Sequence, residues 1–207
     1  MEKLDLSKKY KTYFSASQTP KIIEIEPAQF LSLTGKGDPS GQAFLENIQA
    51  LYSTAYTLKF MYKSIEKDFV ISKLEALWWF DDSKFAGISM SEAPQKIDRN
   101  EWEYRLLIRM PDYVDSDEIE KAKAAAFAKK DWLLIKQVEF FQMAEGKSVQ
   151  MLHLGPFANE PQTLAIMAKF MSEKGFSKNG HHHEIYLSDF NRTAPDKLKT
   201  ILRESVR

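Results

Sequence analysis

Phe30-Leu31-Ser32-Leu33-Thr34-Gly35-Lys36-Gly37-Asp38-Pro39 and Val149-Gln150-Met151-Leu152-His153-Leu154-Gly155-Pro156 decide how this chain is read. Each is an extended apolar run that stops at a glycine and gives way to a helix start. After the first, Asp38-Pro39 sets a capping side chain before a proline at the first helical position. After the second, Asn159 and Gln162 have the spacing of a capping box. Gly35 and Gly155 lie 120 positions apart, so one strand-to-helix unit occurs twice.

Working outward, Lys21 to Glu26 is β-branched and extended, and Pro27 breaks it before Phe30 resumes. This predicts a hairpin. Val138 to Gln142 and Val149 to Leu154, around Glu145-Gly146, predict its counterpart. Phe44, Ile48, Leu51, Tyr52, Ala55, Leu58, Tyr62 and Ile65 recur at steps of three and four, one buried face of a long helix. Phe69 to Phe80 reads as a strand. A loop with Gly87, Pro94 and Asp98 follows, then a period-two strand from Trp102 to Met110, ended by Pro111. Asp115 and Glu118 open an Ala-rich connector helix to Lys130. The second helix runs to about Lys174, with Gly175 suited to the position after it. Strands at His183 to Leu187 and Lys199 to Val206 close the chain.

The expected fold is α+β: a pseudo-twofold duplication of a strand–helix–strand–strand module. Its antiparallel sheets carry helices on one face and leave a ligand cleft between the halves. Residues 1–19 read as an arm with an amphipathic turn at Tyr10, Tyr13 and Phe14. The domain spans 20–207, with repeat one at about 20–112, the connector at about 115–130 and repeat two at about 133–207.

Composition removes several function classes. The 207 residues carry 29 Lys+Arg against 29 Asp+Glu, and this zero net charge with no basic stripe argues against direct nucleic-acid binding. There is no cysteine, hence no disulfide, thiolate metal site or cysteine nucleophile. No apolar run approaches the roughly 18 residues that span a bilayer, and the N-terminus lacks a signal-peptide stretch. A cytoplasmic protein without membrane contact is expected. The chain holds 14 Phe, 8 Tyr and 4 Trp, enough to build flat-ligand and cation pockets as well as core.

Glu184 is the leading candidate for chemistry. On a strand it shares a face with His182 and Tyr186, while Ile185 and Leu187 are expected to face the helices, so Glu184 points to the seam. Glu75, with Leu77 and Trp79, is expected to hold the matching face of the first half. A carboxylate among aromatics is costly unless paired or awaiting a cation; an exposed strand carboxylate with an Arg or Lys partner is the plain alternative. Tandem Trp78-Trp79 sends one ring to each face, and Trp79, Trp102 and Tyr104 are taken as the cage. Tyr56 and Phe157 are further ring candidates, and His182 and His153 are candidate polar cleft residues. Adjacent histidines 181–183 point alternately and cannot all hold one ion, so neither metal nor cofactor is expected. Gly35-Lys36-Gly37 lacks the rest of a phosphate-loop pattern. No serine with a neighbouring base stands out.

The chain resembles the GyrI-like small-molecule-binding proteins in their stand-alone form. The blocks that carry this are Leu74 to Trp79, Glu101 to Asp112, Glu145 to Phe157, Glu160-Pro161-Gln162-Thr163, His182-His183-Glu184-Ile185-Tyr186-Leu187-Ser188-Asp189 and Pro195 to Arg203. The resemblance implies two modules around a ligand cleft in which an acid among aromatics, here Glu184, meets lipophilic cations. That makes binding of flat lipophilic or cationic xenobiotics the first expectation, as a form of xenobiotic protection. One subfamily hydrolyses the cyclopropane of spirocyclopropyl DNA alkylators, which implies a hydrolase with Glu184 or Glu75 activating water. Other relatives are effector domains of multidrug-sensing regulators, which implies at most an effector-sensing partner; the short arm holds no DNA-binding unit. The partner expected is a small molecule, and the sequence offers no reading of oligomeric state.

Overall fold

Two bent ribbons replace the two expected hairpins. In the computed structural model, which describes residues 3–207, β1 (Lys21–Ile25) and β2 (Ala28–Lys36) are separated by Glu26 and Pro27, and β5 (Glu139–Met143) and β6 (Gly146–Leu154) by Ala144 and Glu145. Met1 and Glu2 of the expected arm lie outside the described residues. β1 pairs with β6, from Lys21 opposite Gln150 to Ile25 opposite Gly146. β2 pairs with β5, from Ala28 opposite Met143 to Ser32 opposite Glu139. The register is the same on both sides of the bends. The reason is local: a two-residue hairpin needs residues at positive φ, whereas proline is fixed near −65°. Glu26-Pro27 therefore bends the strand instead of reversing it.

β3 (Leu74–Trp79), β4 (Glu103–Arg109), β7 (Lys178–Tyr186) and β8 (Lys199–Val206) complete one antiparallel sheet in the order β1-β6-β8-β7-β3-β4-β2-β5. The halves meet at β3 and β7, where Ala76 lies opposite Glu184 and Trp78 opposite His182. Because β1 runs into β2 and β5 into β6, the row of strands closes through its bends.

The helices are α1 (Leu6–Lys9), α2 (Gln42–Ser64), α3 (Ala93–Lys96), α4 (Ser116–Lys130) and α5 (Glu160–Glu173). α2 starts later than Asp38-Pro39 suggests. The Asp38 carboxylate is spent on the Ser40 amide at 2.8 Å, and Gly41 takes the cap position. Asp115 caps α4 as read, accepting from the Glu118 amide at 2.9 Å. The expected capping box of α5 does not form, since Asn159 makes no cap bond. Ile65, assigned to the buried face of α2, ends the helix and is exposed.

Each sheet face has its own core. Ala76, Trp78, Leu106, Ile108 and Tyr186 pack under α2 and α4, and Val149, Met151 and Leu202 pack under α5. On the other face, Leu77, Leu107, Ile185 and Ile201 are covered by Leu6, Tyr13 and Phe14 of the arm. This reverses one expectation: Ile185 faces the arm, and Glu184 shares the helix face. The segment between β3 and β4 builds a small core of its own from Phe80, Ala93 and Ile97.

Gly35 marks a close approach. A Cβ there would come within 2.4 Å of the hydroxyl end of Tyr104, which is buried and accepts a hydrogen bond from Asn47 Nδ2 at 2.9 Å. Gly35→Ala is expected to cost about 1–3 kcal/mol by overpacking, read as a lower denaturation midpoint. An unchanged midpoint would show that Tyr104 yields freely.

Candidate functional site

The seam between α2 and α5 on the helix face is hollow. A cavity of about 250 Å3 opens there. β7 supplies its floor with His182, Glu184 and Tyr186, and β3 adds Trp78. α2 contributes Phe44, and α5 contributes Glu160 and Leu164. Loops close the rim with Met90, Trp102, Phe157 and Phe190. The rings support one another. Phe44 stacks on Trp78 at 5.6 Å, Trp102 meets Trp78 edge-on at 5.9 Å, and Phe157, Tyr186 and Phe190 form an edge-to-face triplet. Such walls offer flat apolar surface with little conformational freedom left to lose.

The polar groups of the floor form one chain. Tyr186 donates to Glu184 Oε2 at 2.7 Å, and Trp78 Nε1 donates to the Tyr186 hydroxyl at 3.2 Å. His182 Nε2 stands 3.4 Å from Glu184 Oε1, and its Nδ1 bonds Glu204 Oε1 at 2.8 Å. Burial works against charge on His182, but Glu204 and then Glu184 outweigh it and raise the imidazole to about 9. Burial and then the adjoining Glu184 carboxylate push Glu160 well above the ordinary carboxylate range. Burial and a like-charged neighbour both favour the protonated form of Glu160. Three buried polar atoms of the lining, Trp102 Nε1, Glu160 Oε1 and His182 Nε2, have no hydrogen-bond partner in the protein. Orphaned polar atoms are rare in folded proteins; Ser72 Oγ, Glu75 Oε1, Arg109 Nε and Glu204 Oε2 are others among the described residues and lie outside this lining.

His182 yields a pH prediction. Its pKa is higher folded (about 9) than its ordinary value of 6.5. Its contribution to stability is therefore complete below about pH 6.5 and fades as pH rises to about 9. An NMR titration of its ring should show a midpoint near 9, and Glu204→Gln should lower it. A wild-type midpoint at or below 6.5 would refute this charge state.

The structure brings Glu184, His182, Tyr186, Trp102 and Phe157 together and places the other sequence candidates elsewhere. Trp79 points to the opposite face from Trp78; it stacks on His181 at 4.5 Å and donates to Glu103. Tyr104 is buried behind Phe44 and Trp78 as a buttress. His153 is buried against Thr163 and the Pro156 carbonyl, tying β6 to α5. Tyr56 is exposed on α2 beside Tyr52. Glu75 is fully buried on the arm face, where Tyr13 and His183 bond it. Its expected equivalence to Glu184 fails by one residue, because side chains alternate faces and Ala76 is the residue opposite Glu184. Trp78, Phe44, Phe190 and Glu160 were not foreseen. Alternation alone would have offered Trp78 as readily as Trp79, while Glu160 looks like any acid in a first helical turn.

The GyrI-like small-molecule-binding domain model matches residues 18–203. The chain belongs to the GyrI-like family. An uncharacterized conserved protein from Listeria innocua is 35% identical, with TM-score 0.88 over 99% of this chain and 100% of that one. A hydrolase from Listeria innocua is also 35% identical, with TM-score 0.84 over 99% and 100%. The C-terminal domain of EcmrR shares the fold alone, at 8% identity and TM-score 0.59 over 91% and 97%. No curated protein matches the chain. Among the described residues, no helix is long and apolar enough to cross a membrane. As a GyrI-like protein, the chain has a small molecule as its partner.

Proposed function

We propose that this GyrI-like cavity takes flat, largely apolar molecules and opens an electrophilic ring in them with water. The observation that carries this is the geometry of the carboxyl pair inside one aromatic hollow: Glu184, which accepts from Tyr186 at 2.7 Å, with the buried Glu160 beside it, its carboxyl raised by burial and by Glu184. Two adjoining carboxyls, one of them raised by burial and by its neighbour, are equipment for acid–base catalysis. The kinship with a Listeria innocua hydrolase at 35% identity supports the same reading.

The substrate class is a spirocyclopropyl dienone. The flat ring system lies between Trp78, Trp102 and the Phe157 cluster. Glu184 takes a proton from a water molecule, and the water oxygen bonds to the unsubstituted cyclopropane carbon. The strained C–C bond breaks, and its electron pair moves through the ring to the carbonyl oxygen. That oxygen is met by the free N–H of Trp102 and takes its proton from Glu160. The product is the substrate plus one water. Ring strain keeps the demand on the base modest.

The test is incubation of catalytic amounts of protein with such a dienone, followed by mass spectrometry. Multiple turnovers to a product heavier by one water are expected. Protection of the dienone only at equimolar protein, with no hydrolysed product, would leave sequestration as the function. That second reading draws on Glu184 itself, whose carboxylate among rings is also a seat for a lipophilic cation.

A further inference from the structure

The outer face of α2 carries an uncovered aromatic row. Tyr52, Tyr56 and Phe60 recur every four residues and so stand one above another. The Tyr52 and Tyr56 rings lie 6.3 Å apart. Tyr56 is 48% exposed and Phe60 59%. Past the end of the helix, Ile65 and Val70 are exposed too, at 59% and 40%. These are four of the nine exposed large hydrophobic side chains among the described residues, gathered in one short stretch. Such a concentration marks a contact surface. The charges around it point to the kind of partner. Lys59, Lys63 and Lys67 lie in the same stretch, and Lys3 joins them where the Val70 amide bonds the Leu4 carbonyl. The acids of the stretch are Glu66 and Asp68, and Asp68 is engaged by Lys59 and by Lys3 at 3.7 Å. This end of the molecule is therefore basic, although the whole chain has zero net charge. Asp115 and Glu118 of the α4 start lie behind the buried Tyr62, on the core side of the helix.

We infer that this face of α2 docks on an anionic bilayer, with Tyr56 and Phe60 in the headgroup layer and Lys63 and Lys67 on the lipid phosphates. Aromatic rings beside lysines are the composition of an interfacial helix. A second copy of the chain fits less well, because two such lysine-rimmed faces repel each other. The row also begins at the cavity. Burial, then Tyr56 and Asp189, raise the Tyr52 hydroxyl to about 12, and Asp189 precedes Phe190 of the cavity rim. Apolar molecules dissolve in bilayers, so docking here sets the cavity mouth beside their reservoir. Such docking departs from the expectation of no membrane contact, which rested on the lack of a spanning segment; lying on a bilayer needs none. It holds whether the cavity turns its ligand over or only retains it.

The test is co-sedimentation of the full chain with sucrose-loaded vesicles of phosphatidylcholine alone and of an equal mixture with phosphatidylglycerol. Partitioning onto the mixed vesicles is expected to be about 10-fold stronger or more, with the difference shrinking in high salt. Replacing both rings, Tyr56→Gln with Phe60→Gln, should weaken binding to the mixed vesicles about 10-fold or more. Lys63→Gln with Lys67→Gln keeps the rings and should remove most of the anionic preference; this second pair guards against a folding defect in the first. Phe60→Trp should bind at least as well as wild type. Wild type that sediments no more than in the lipid-free control, shows no preference for the mixed vesicles, or is matched there by both double variants overturns the docking face. So does a concentration-dependent doubling of mass without lipid that the Tyr56→Gln, Phe60→Gln chain lacks, since the face would then belong to a second copy.

Discussion

Glu184→Gln is expected to slow ring opening by roughly 100- to 10,000-fold while changing affinity for a flat neutral ligand only slightly. The amide has the shape of the carboxylate, can still accept from Tyr186, and leaves the aromatic walls untouched. What it cannot do is take a proton from water. The loss therefore falls on kcat, not on KM. Glu160→Gln should lower the rate less, because only protonation of the ring carbonyl oxygen is impaired. If Glu184→Gln keeps full activity, Glu184 is not the base. If instead the variant loses a cationic dye much more than its neutral isostere, and wild-type turnover is absent, Glu184 serves as countercharge in a binding protein.

The second large effect lies on the other sheet face. Arg203 is completely buried. It donates to Glu145 Oε2 at 2.9 Å, to Gln150 Oε1 at 3.0 and 3.2 Å and to the Tyr13 carbonyl at 2.7 Å, with Tyr13's ring over its guanidinium at 4.3 Å. Glu145 also takes His183 Nδ1 at 2.9 Å, and His183 Nε2 reaches Glu75 at 2.9 Å. Arg203→Met removes one charge and leaves Glu145 buried with His183 as its remaining cation, which should cost roughly 3–5 kcal/mol. Denaturant titration reads this directly; a loss below about 1 kcal/mol would mean that the network relaxes or admits water. The pH dependence has a definite sign. Burial alone would raise Glu145, but His183 and Arg203 together hold it at about 2. Its contribution is therefore full above its ordinary pKa of about 4.5 and lost as pH falls toward 2. Arg203→Met should move acid unfolding to higher pH. The Glu184 cavity faces the other way, so binding per folded molecule should survive.

Local signals in the sequence carried most of the secondary structure. The three- and four-residue spacing from Phe44 to Tyr62 is the buried face of α2, Asp115 caps α4, and Lys199–Val206 is β8 as read. The twofold repeat marked by Gly35 and Gly155 is present in the sheet order. Partner choice was not legible, because Glu26-Pro27 looks like a break whether the chain reverses or bends. The face of Glu184 was lost for a related reason. Ile185 and Leu187 look like core, and the arm that covers their face is too short and polar to announce itself as a second layer. Pairing Glu75 with Glu184 by similarity of surroundings ignored that a shift of one residue turns a side chain to the other side of the sheet. Glu160 stayed hidden because the burial and the Glu184 neighbour that raise its carboxyl are supplied by tertiary structure alone.

The crossed ribbons also set a timetable for synthesis. Lys21 leaves the ribosome early, yet its strand finds no edge until Gln150 and its neighbours have emerged. β8, made after both of its neighbours, is wedged between β6 and β7. The nascent chain must therefore hold β1 unmatched until β6 has been made, and long-range pairing of this kind is slow. Neither half could be released as a working fragment by proteolysis, because each is finished with a strand borrowed from the other.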